Sequence, residues 1–123
     1  MSAQNIQFFF TMREQLKLYH WQTGMFARHK GTDDVIGSLD GLIDLFVEVY
    51  MGRRGRPSVT RSTNTIVLRN MSEKSAMKFV KDCILYLQNG LTKGLKEDDT
   101  DLLNIRDEML GELNKLLYLF TLR

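Results

Sequence analysis

The chain has 123 residues, enough for one domain to bury a core without disulfide or metal staples. Its apolar fraction of 43% and charged fraction of 26% are ordinary for a globular protein, and a net charge of +2 is too small to indicate nucleic acid by itself. A single cysteine, no expected signal peptide and no apolar run of ~18 residues argue against secretion and membrane insertion. We expect one cytoplasmic domain over residues 1–123, with no membrane partner.

Helical periodicity predicts two helices in the first half of the chain. The first covers about residues 4–22, where apolar side chains recur every three or four positions, and it ends at Thr23-Gly24. The second covers about residues 25–51 and ends before residues 52–57, which are rich in glycine and arginine. Both helices carry an apolar stripe, so both are expected to pack against a common core.

Two further helices are predicted in the second half. Residues 58–71 read as a connector with a short apolar run, and Ser72 is a candidate N-cap for a third helix that closes at Asn89-Gly90. A fourth helix begins near Asp99 or Thr100 and runs almost to the end of the chain. Because no strand pattern is longer than four residues, the sequence predicts an all-α fold.

The connector between the second and third helices is unusually long. Antiparallel neighbours need only a few linking residues, whereas about twenty separate these two helices. Such a length fits a crossover that runs along a bundle, as in ferritin-like folds. We therefore predict a ferritin-like four-helix bundle with a long crossover between helices two and three.

Metal-ligand side chains follow one another along the second predicted helix. At 100° per residue, five of them fall within roughly 100° of one another. Histidine with carboxylates is a ligand set for iron, manganese or zinc. These side chains are His29, Asp33, Asp40, Asp44 and Glu48.

The length of this helix excludes a metal site built from it within one chain. His29 and Glu48 would lie about 28 Å apart along a straight helix. Two copies of the helix in antiparallel contact would bring His29 of one chain near Asp44 and Glu48 of the other, with the two-fold axis near Gly37. Gly37 and Gly41 leave room for that approach although mid-helix glycine is unfavourable. We expect a symmetric homodimer with two metal sites at its interface.

A family resemblance rests on five features between residues 19 and 57. They are Tyr19-His20-Trp21, Phe26, His29 followed by Asp33, Asp44 followed by Glu48, and Gly55-Arg56-Pro57. In this order and spacing they resemble the ferroxidase segment of Dps, the ferritin-like DNA-binding protein from starved cells. The leucine-rich last helix is also similar to that of the family.

The resemblance implies a function in iron storage and protection from oxidative stress. It implies that Fe²⁺ binds through His20 and His29 of one chain together with Asp33, Asp44 and Glu48 spread across the pair. Zinc or manganese could take the place of iron. Peroxide or dioxygen would be the oxidant, and the family further implies a hollow dodecamer that stores ferric mineral.

Two departures from the family pattern bear on these expectations. The turn between His20 and His29 is shorter than in the family, which puts the reach of His20 in question. Residues 1–12 lack the basic tail that some members use to hold DNA, so DNA binding is expected to be weak or absent. The resemblance gives Trp21 a role in intercepting radical equivalents, but a tryptophan here is also typical of a core anchor.

Other readings of the sequence remain open. The chain could be a non-catalytic structural or assembly protein, for example in a virus particle, that keeps the bundle and the dimer interface. It could also be a nucleoid-type binder that uses its arginines, since residues 52–70 contain no acid. Those arginines are Arg53, Arg54, Arg56, Arg61 and Arg69. The acidic residues 97–101 either complement the N-terminus of helix four or line a cation pore.

Overall fold

The structure is a computed structural model that describes all residues from 1 to 123. It contains four α-helices and no strand, which confirms the all-α prediction. The helices are α1 (Ala3–Gln22), α2 (Phe26–Arg54), α3 (Glu73–Leu85) and α4 (Thr100–Leu119). None of them combines the length and the apolar character needed to cross a membrane.

Local sequence signals explain where most of these helices begin and end. The predicted cap at Ser72 is confirmed: its hydroxyl accepts from the Ser75 N–H at 3.1 Å, and the Ser75 hydroxyl accepts from the Ser72 N–H at 2.8 Å. The end of α2 is set by Gly55, whose φ of +100° favours glycine and whose N–H donates to the Met51 carbonyl at 3.1 Å.

The predicted end of α3 at Asn89-Gly90 is wrong. The α-helix stops at Leu85 and continues as a π-helical turn over Tyr86–Gly90 and a 3₁₀ turn over Leu91–Gly94. At Gly90 a Cβ atom would lie 2.8 Å from the Tyr86 ring. Glycine here therefore allows close packing against Tyr86 and does not end the helix. The Tyr86 ring stacks on Phe8 at 4.0 Å, which ties this turn to α1.

The connector of residues 55–72 runs along α1 from one end to the other. Three glutamines on α1, spaced by about two helical turns, hold its backbone. Gln7 donates to the Thr65 carbonyl at 2.8 Å, and Gln15 both donates to and accepts from the Arg69 backbone at 2.7 and 3.0 Å. Gln22 accepts from the Met71 N–H at 3.3 Å. The chain thus returns to the end where α2 began, so α3 runs parallel to α2.

One contiguous core joins the four helices, and it contains 21 buried apolar residues. The short apolar run of the connector contributes little to it, because Val67 is 83% exposed and Leu68 is 44% exposed. Hydrophobic burial along all four helices, together with the hydrogen bonds of the connector, therefore holds the bundle.

A buried arginine links all four helices at one end of the bundle. Arg28, on α2, donates to the Tyr19 hydroxyl at 2.9 Å, to the Glu73 carbonyl at 2.7 Å and to the Phe120 carbonyl at 3.2 Å. Its guanidinium lies 4.3 Å from the centre of the Phe120 ring. Tyr19 in turn donates to the Glu73 carboxylate at 2.7 Å. Burial and this hydrogen bond to Glu73 raise the pKa of Tyr19.

Replacing this arginine should destabilise the fold. We expect Arg28→Met to lower the free energy of unfolding by about 2–4 kcal/mol, because the Tyr19 hydroxyl and two carbonyls lose a buried charged donor. Urea denaturation measures the difference. The control is Lys78→Met, since Lys78 is exposed and pairs only with Asp82 at 2.7 Å. It should change the stability by less than about 0.5 kcal/mol; equal effects of the two changes would contradict a central role for Arg28.

Candidate metal site

The two histidines of the chain lie against each other. His20 is in the last turn of α1 and His29 is in the first turn of α2, and residues 23–25 form the turn between the helices. The two imidazole rings are stacked, with centroids 3.9 Å apart and an interplanar angle of 16°. His20 is 7% exposed, whereas His29 is on the surface. The short turn thus brings the two rings together.

Reciprocal hydrogen bonds select the same tautomer in both rings. The Nδ1 atom of His20 lies 2.7 Å from the His29 carbonyl oxygen, and the Nδ1 atom of His29 lies 2.9 Å from the His20 carbonyl oxygen. A carbonyl oxygen only accepts, so in the neutral form of each ring the proton is on Nδ1 and the lone pair is on Nε2. Metal-binding histidines are commonly oriented by this type of bond.

A buried threonine completes the environment of His20. The hydroxyl of Thr32 lies 3.0 Å from His20 Nδ1 and donates its own proton to the Arg28 carbonyl at 2.7 Å. It can therefore only accept, so the one Nδ1–H of His20 is shared between Thr32 and the His29 carbonyl, and the contact supports the same tautomer. The sequence analysis missed Thr32; the only available signal was a threonine one helical turn after His29 and on the same side of α2.

The candidate carboxylates lie on the outer face of α2. Asp33, Asp44 and Glu48 are exposed, and none of them forms a hydrogen bond or an ion pair within the chain. Asp44 and Glu48 lie about 22 and 28 Å along the helix from His29. No three histidine, cysteine or acidic side chains of the chain come together in an arrangement that could hold a metal ion. One chain therefore offers only the two imidazoles.

Between these two ends, the outer face of α2 is open. A Cβ atom built on Gly37 or on Gly41 would meet nothing within 4 Å, and both glycines are exposed. Asp40, which shares the face, is bound to Arg13 at 2.8 Å and has a structural partner. The face thus has two glycines without side chains at its centre, and ligand-type side chains before and after them along the helix.

Trp21 lies next to the histidine pair and is 68% exposed, so the core-anchor interpretation is wrong. The ammonium of Lys17 is 5.6 Å from the centre of its indole ring. Phe26, at the start of α2, is 72% exposed. Two large aromatic side chains at the ends of the turn between α1 and α2 are therefore exposed to solvent.

Only some of the arginines between residues 52 and 70 are free to bind a phosphate. Two of them pair with the acidic residues at the start of α4. Arg54 binds Asp99, and Arg53 binds Asp101 at 2.9 Å. Asp99 is completely buried and also accepts from the Lys96 N–H at 2.8 Å. The Lys96 N–H and then the Arg54 guanidinium hold the pKa of Asp99 below its usual range. This part of the acidic run therefore anchors the end of α2; weak or absent DNA binding stays a prediction.

The Asp99 interaction makes the fold sensitive to acid. Because the pKa of Asp99 is lowered in the folded protein, its contribution is complete above the ordinary aspartate pKa and is lost as the pH falls through the lowered value. We expect Asp99→Asn to melt at a lower temperature at pH 7 and to lose less stability than the unmodified protein on acidification to about pH 3. The exposed neighbour Asp98, changed to asparagine, is the charge-matched control and should keep the original profile. Parallel profiles for the Asp99 variant and the unmodified protein would contradict this assignment.

The fold defines the chain as an all-α, four-helix protein in which two histidines stack at one end of the bundle. Residues 20–120 match a family described as "Family of unknown function (DUF5856)", and the chain belongs to that family. No curated protein and no solved structure matches the chain.

Proposed function

We propose that the chain is a Dps-like protein that binds Fe²⁺ at a site shared between two copies and oxidises it with peroxide or dioxygen. The observation that carries the proposal is the stacked pair of His20 and His29. Both Nδ1 atoms donate to backbone carbonyls, so in the neutral rings both Nε2 atoms have a lone pair for a metal ion. Without these hydrogen bonds, the positions of the two histidines would fit a packing role as well as a metal-binding role.

The connectivity of the helices supports the same proposal. A four-helix arrangement with one long connection is the connectivity of ferritin-like bundles, in which metal sites are built by side chains of facing helices. Here the connector follows α1 through its three glutamines, and α2 carries all the carboxylates of the proposed site. A ferritin-like fold is thus part of the proposal, and it agrees with the Dps resemblance of residues 19–57.

A second copy would supply what one chain lacks. If two α2 helices meet in antiparallel contact near Gly37, the histidine pair of one chain faces Asp44 and Glu48 of the other. Glycines at the crossing allow the backbones to approach without a side chain between them. Each dimer would then hold two equivalent sites, each with two imidazoles and with carboxylates from Asp33 of one chain and Asp44 and Glu48 of its mate.

The residues would bind and orient the substrate iron. Neutral imidazoles and carboxylates are ligands for Fe²⁺ and also accept Zn²⁺ or Mn²⁺, and the carboxylates compensate the positive charge. Two Fe²⁺ ions give up one electron each, and one peroxide takes both electrons with two protons to become water. Trp21, in solvent next to the histidines, is placed to give an electron to a stray radical before it reaches the core.

A structural or assembly protein, for example in a virus particle, is the alternative. Such a protein would need the face of α2 only as an interface, and the exposed glycines Gly37 and Gly41 on that face fit this role. The two candidates differ in metal chemistry: only the first oxidises Fe²⁺ faster than the protein-free solution does.

The first test concerns the interface. Gly37→Leu should separate the pair, because a leucine at the crossing point would push the helices beyond the 8–10 Å at which helices pack. Light scattering measures the oligomeric state. Gly52→Leu makes the same change on an open surface near the end of α2, away from the crossing, and should leave the oligomer intact. A monomeric unmodified chain would exclude the shared site.

The second test concerns the sharing of ligands. His29→Ala and Glu48→Ala should each abolish rapid Fe²⁺ oxidation, whereas mixing the two variants after dissociation should restore about a quarter of it. Half of the re-formed dimers are mixed, and in each mixed dimer one of the two sites has all its ligands. A site within one chain could not recover, because every chain would still lack a ligand.

The same assay distinguishes the role of His20. Because its ring is stacked on His29, His20→Ala should reduce oxidation about as much as His29→Ala.

Mixed dimers of His29→Ala and Glu48→Ala that assemble but recover no activity would contradict the shared site.

A further inference from the structure

A cavity of about 620 Å³ lies between the first half of α1, the middle of α2 and the start of the connector. Such a volume is in the range of small-molecule sites. Its wall is mainly apolar and aromatic, and its opening lies on the outer face of α2. The residues that matter here are Phe9, Phe10, Ile43, Asp44, Val47 and Val59.

The apolar edge of this cavity is left in solvent by the chain itself. Phe10 is 46% exposed and Val59 is 51% exposed. At the opposite end of the same surface, Trp21 is 68% exposed. An exposed indole and an exposed apolar cavity on one surface are features that an interface removes from water.

The two-fold arrangement brings these two features together. His20 contacts Thr32, so the end of α1 lies level with Thr32, five residues before Gly37. With a two-fold axis at Gly37, the end of α1 in one chain would lie opposite Leu42 of the other chain, because Leu42 is five residues after Gly37. The residues on either side of Leu42, Gly41 and Ile43, both line the cavity. An axis perpendicular to both helices also keeps α1 of each chain on the same side of the interface. In the proposed two-fold pair, Trp21 of one chain would therefore face the cavity of the other.

The charges around the two features are complementary. Lys17 lies over the indole of Trp21. Asp44, on the wall of the cavity, has no partner within the chain, whereas Asp40 and Arg13 already bind each other. In the pair, the positive charge of Lys17 would approach the acidic side of the cavity, which favours association, while Asp44 itself stays available to the shared metal site.

We propose that Trp21 of each chain inserts into the cavity of a second copy and is the main anchor of the dimer. The occupant of the cavity is thus an indole of the same protein, and the two insertions are equivalent by symmetry. This inference rests on the proposed function, since it uses the antiparallel pairing of α2. It adds a second role for Trp21, which would both hold the copies together and lie at the edge of the shared site.

Fluorescence of Trp21 tests the inference directly, because this is the only tryptophan of the chain. In the assembled protein, emission should be blue-shifted and acrylamide should quench it several-fold less than it quenches N-acetyltryptophanamide. In the Gly37→Leu monomer, quenching should approach that of the free analogue. Ser58→Phe, which adds a ring at the cavity wall, should return the emission toward the exposed value.

Dimer affinity gives a second measurement. Trp21→Ala should weaken the dimer at least roughly 30-fold, as expected for an interface anchor, and circular dichroism should show an unchanged helix content. Val67→Ala is the matched control, because Val67 is 83% exposed on the connector; it should leave the affinity unchanged.

The outcomes separate this inference from the function on which it rests. A dimer in which Trp21 is quenched like the free analogue overturns the insertion, while recovery of activity by mixed variants would still support the shared site. A chain that stays monomeric overturns both.

Discussion

The buried guanidinium of Arg28 holds the end of the bundle on which the proposed chemistry depends. It reaches the Tyr19 hydroxyl on α1, the first residue of α3 and the carbonyl of Phe120 after α4, while it belongs to α2 itself. His20 follows Tyr19 and His29 follows Arg28 in the chain, so the contact that fixes the helix ends also fixes the two imidazoles. A charge buried in this way is stable only when its partners are all in place. The paired histidines are therefore a consequence of how the four helices close.

The opposite end of α2 is held in the same manner. Arg53 and Arg54 bind the acidic residues at the start of α4, and Asp99 is buried between them. With both ends attached to other helices, the 29 residues of α2 present one continuous outer face. Its unpaired carboxylates and exposed glycines have no use within the chain. In the proposed dimer this face would meet a second copy, and the histidine pair would supply metal ligands to it.

The sequence was informative where the signal was local and less so where it depended on distant contacts. The periodicity of α1, α2 and α4 and the serine cap of α3 were sufficient to predict those helices. The end of α3 was wrong because Gly90 serves close packing with Tyr86, which is not visible in a turn signal. The pairing of Arg53 and Arg54 was not predicted because their acidic partners lie more than forty residues further along the chain. Trp21 was ambiguous because exposure depends on whether neighbouring helices cover it.

The sequence by itself determined the all-α class, the order of the helices, the length of the connector and the identity of the ligand-type residues. These follow from hydrophobic periodicity, capping and composition, which act over a few turns of helix. Only the tertiary structure decided that the connector follows α1, that His20 and His29 stack, and that their Nδ1 atoms face carbonyl oxygens. The physical reason is that these features depend on the relative position of two helix ends. That position is set by Arg28 and the packed core, and no short stretch of sequence encodes it.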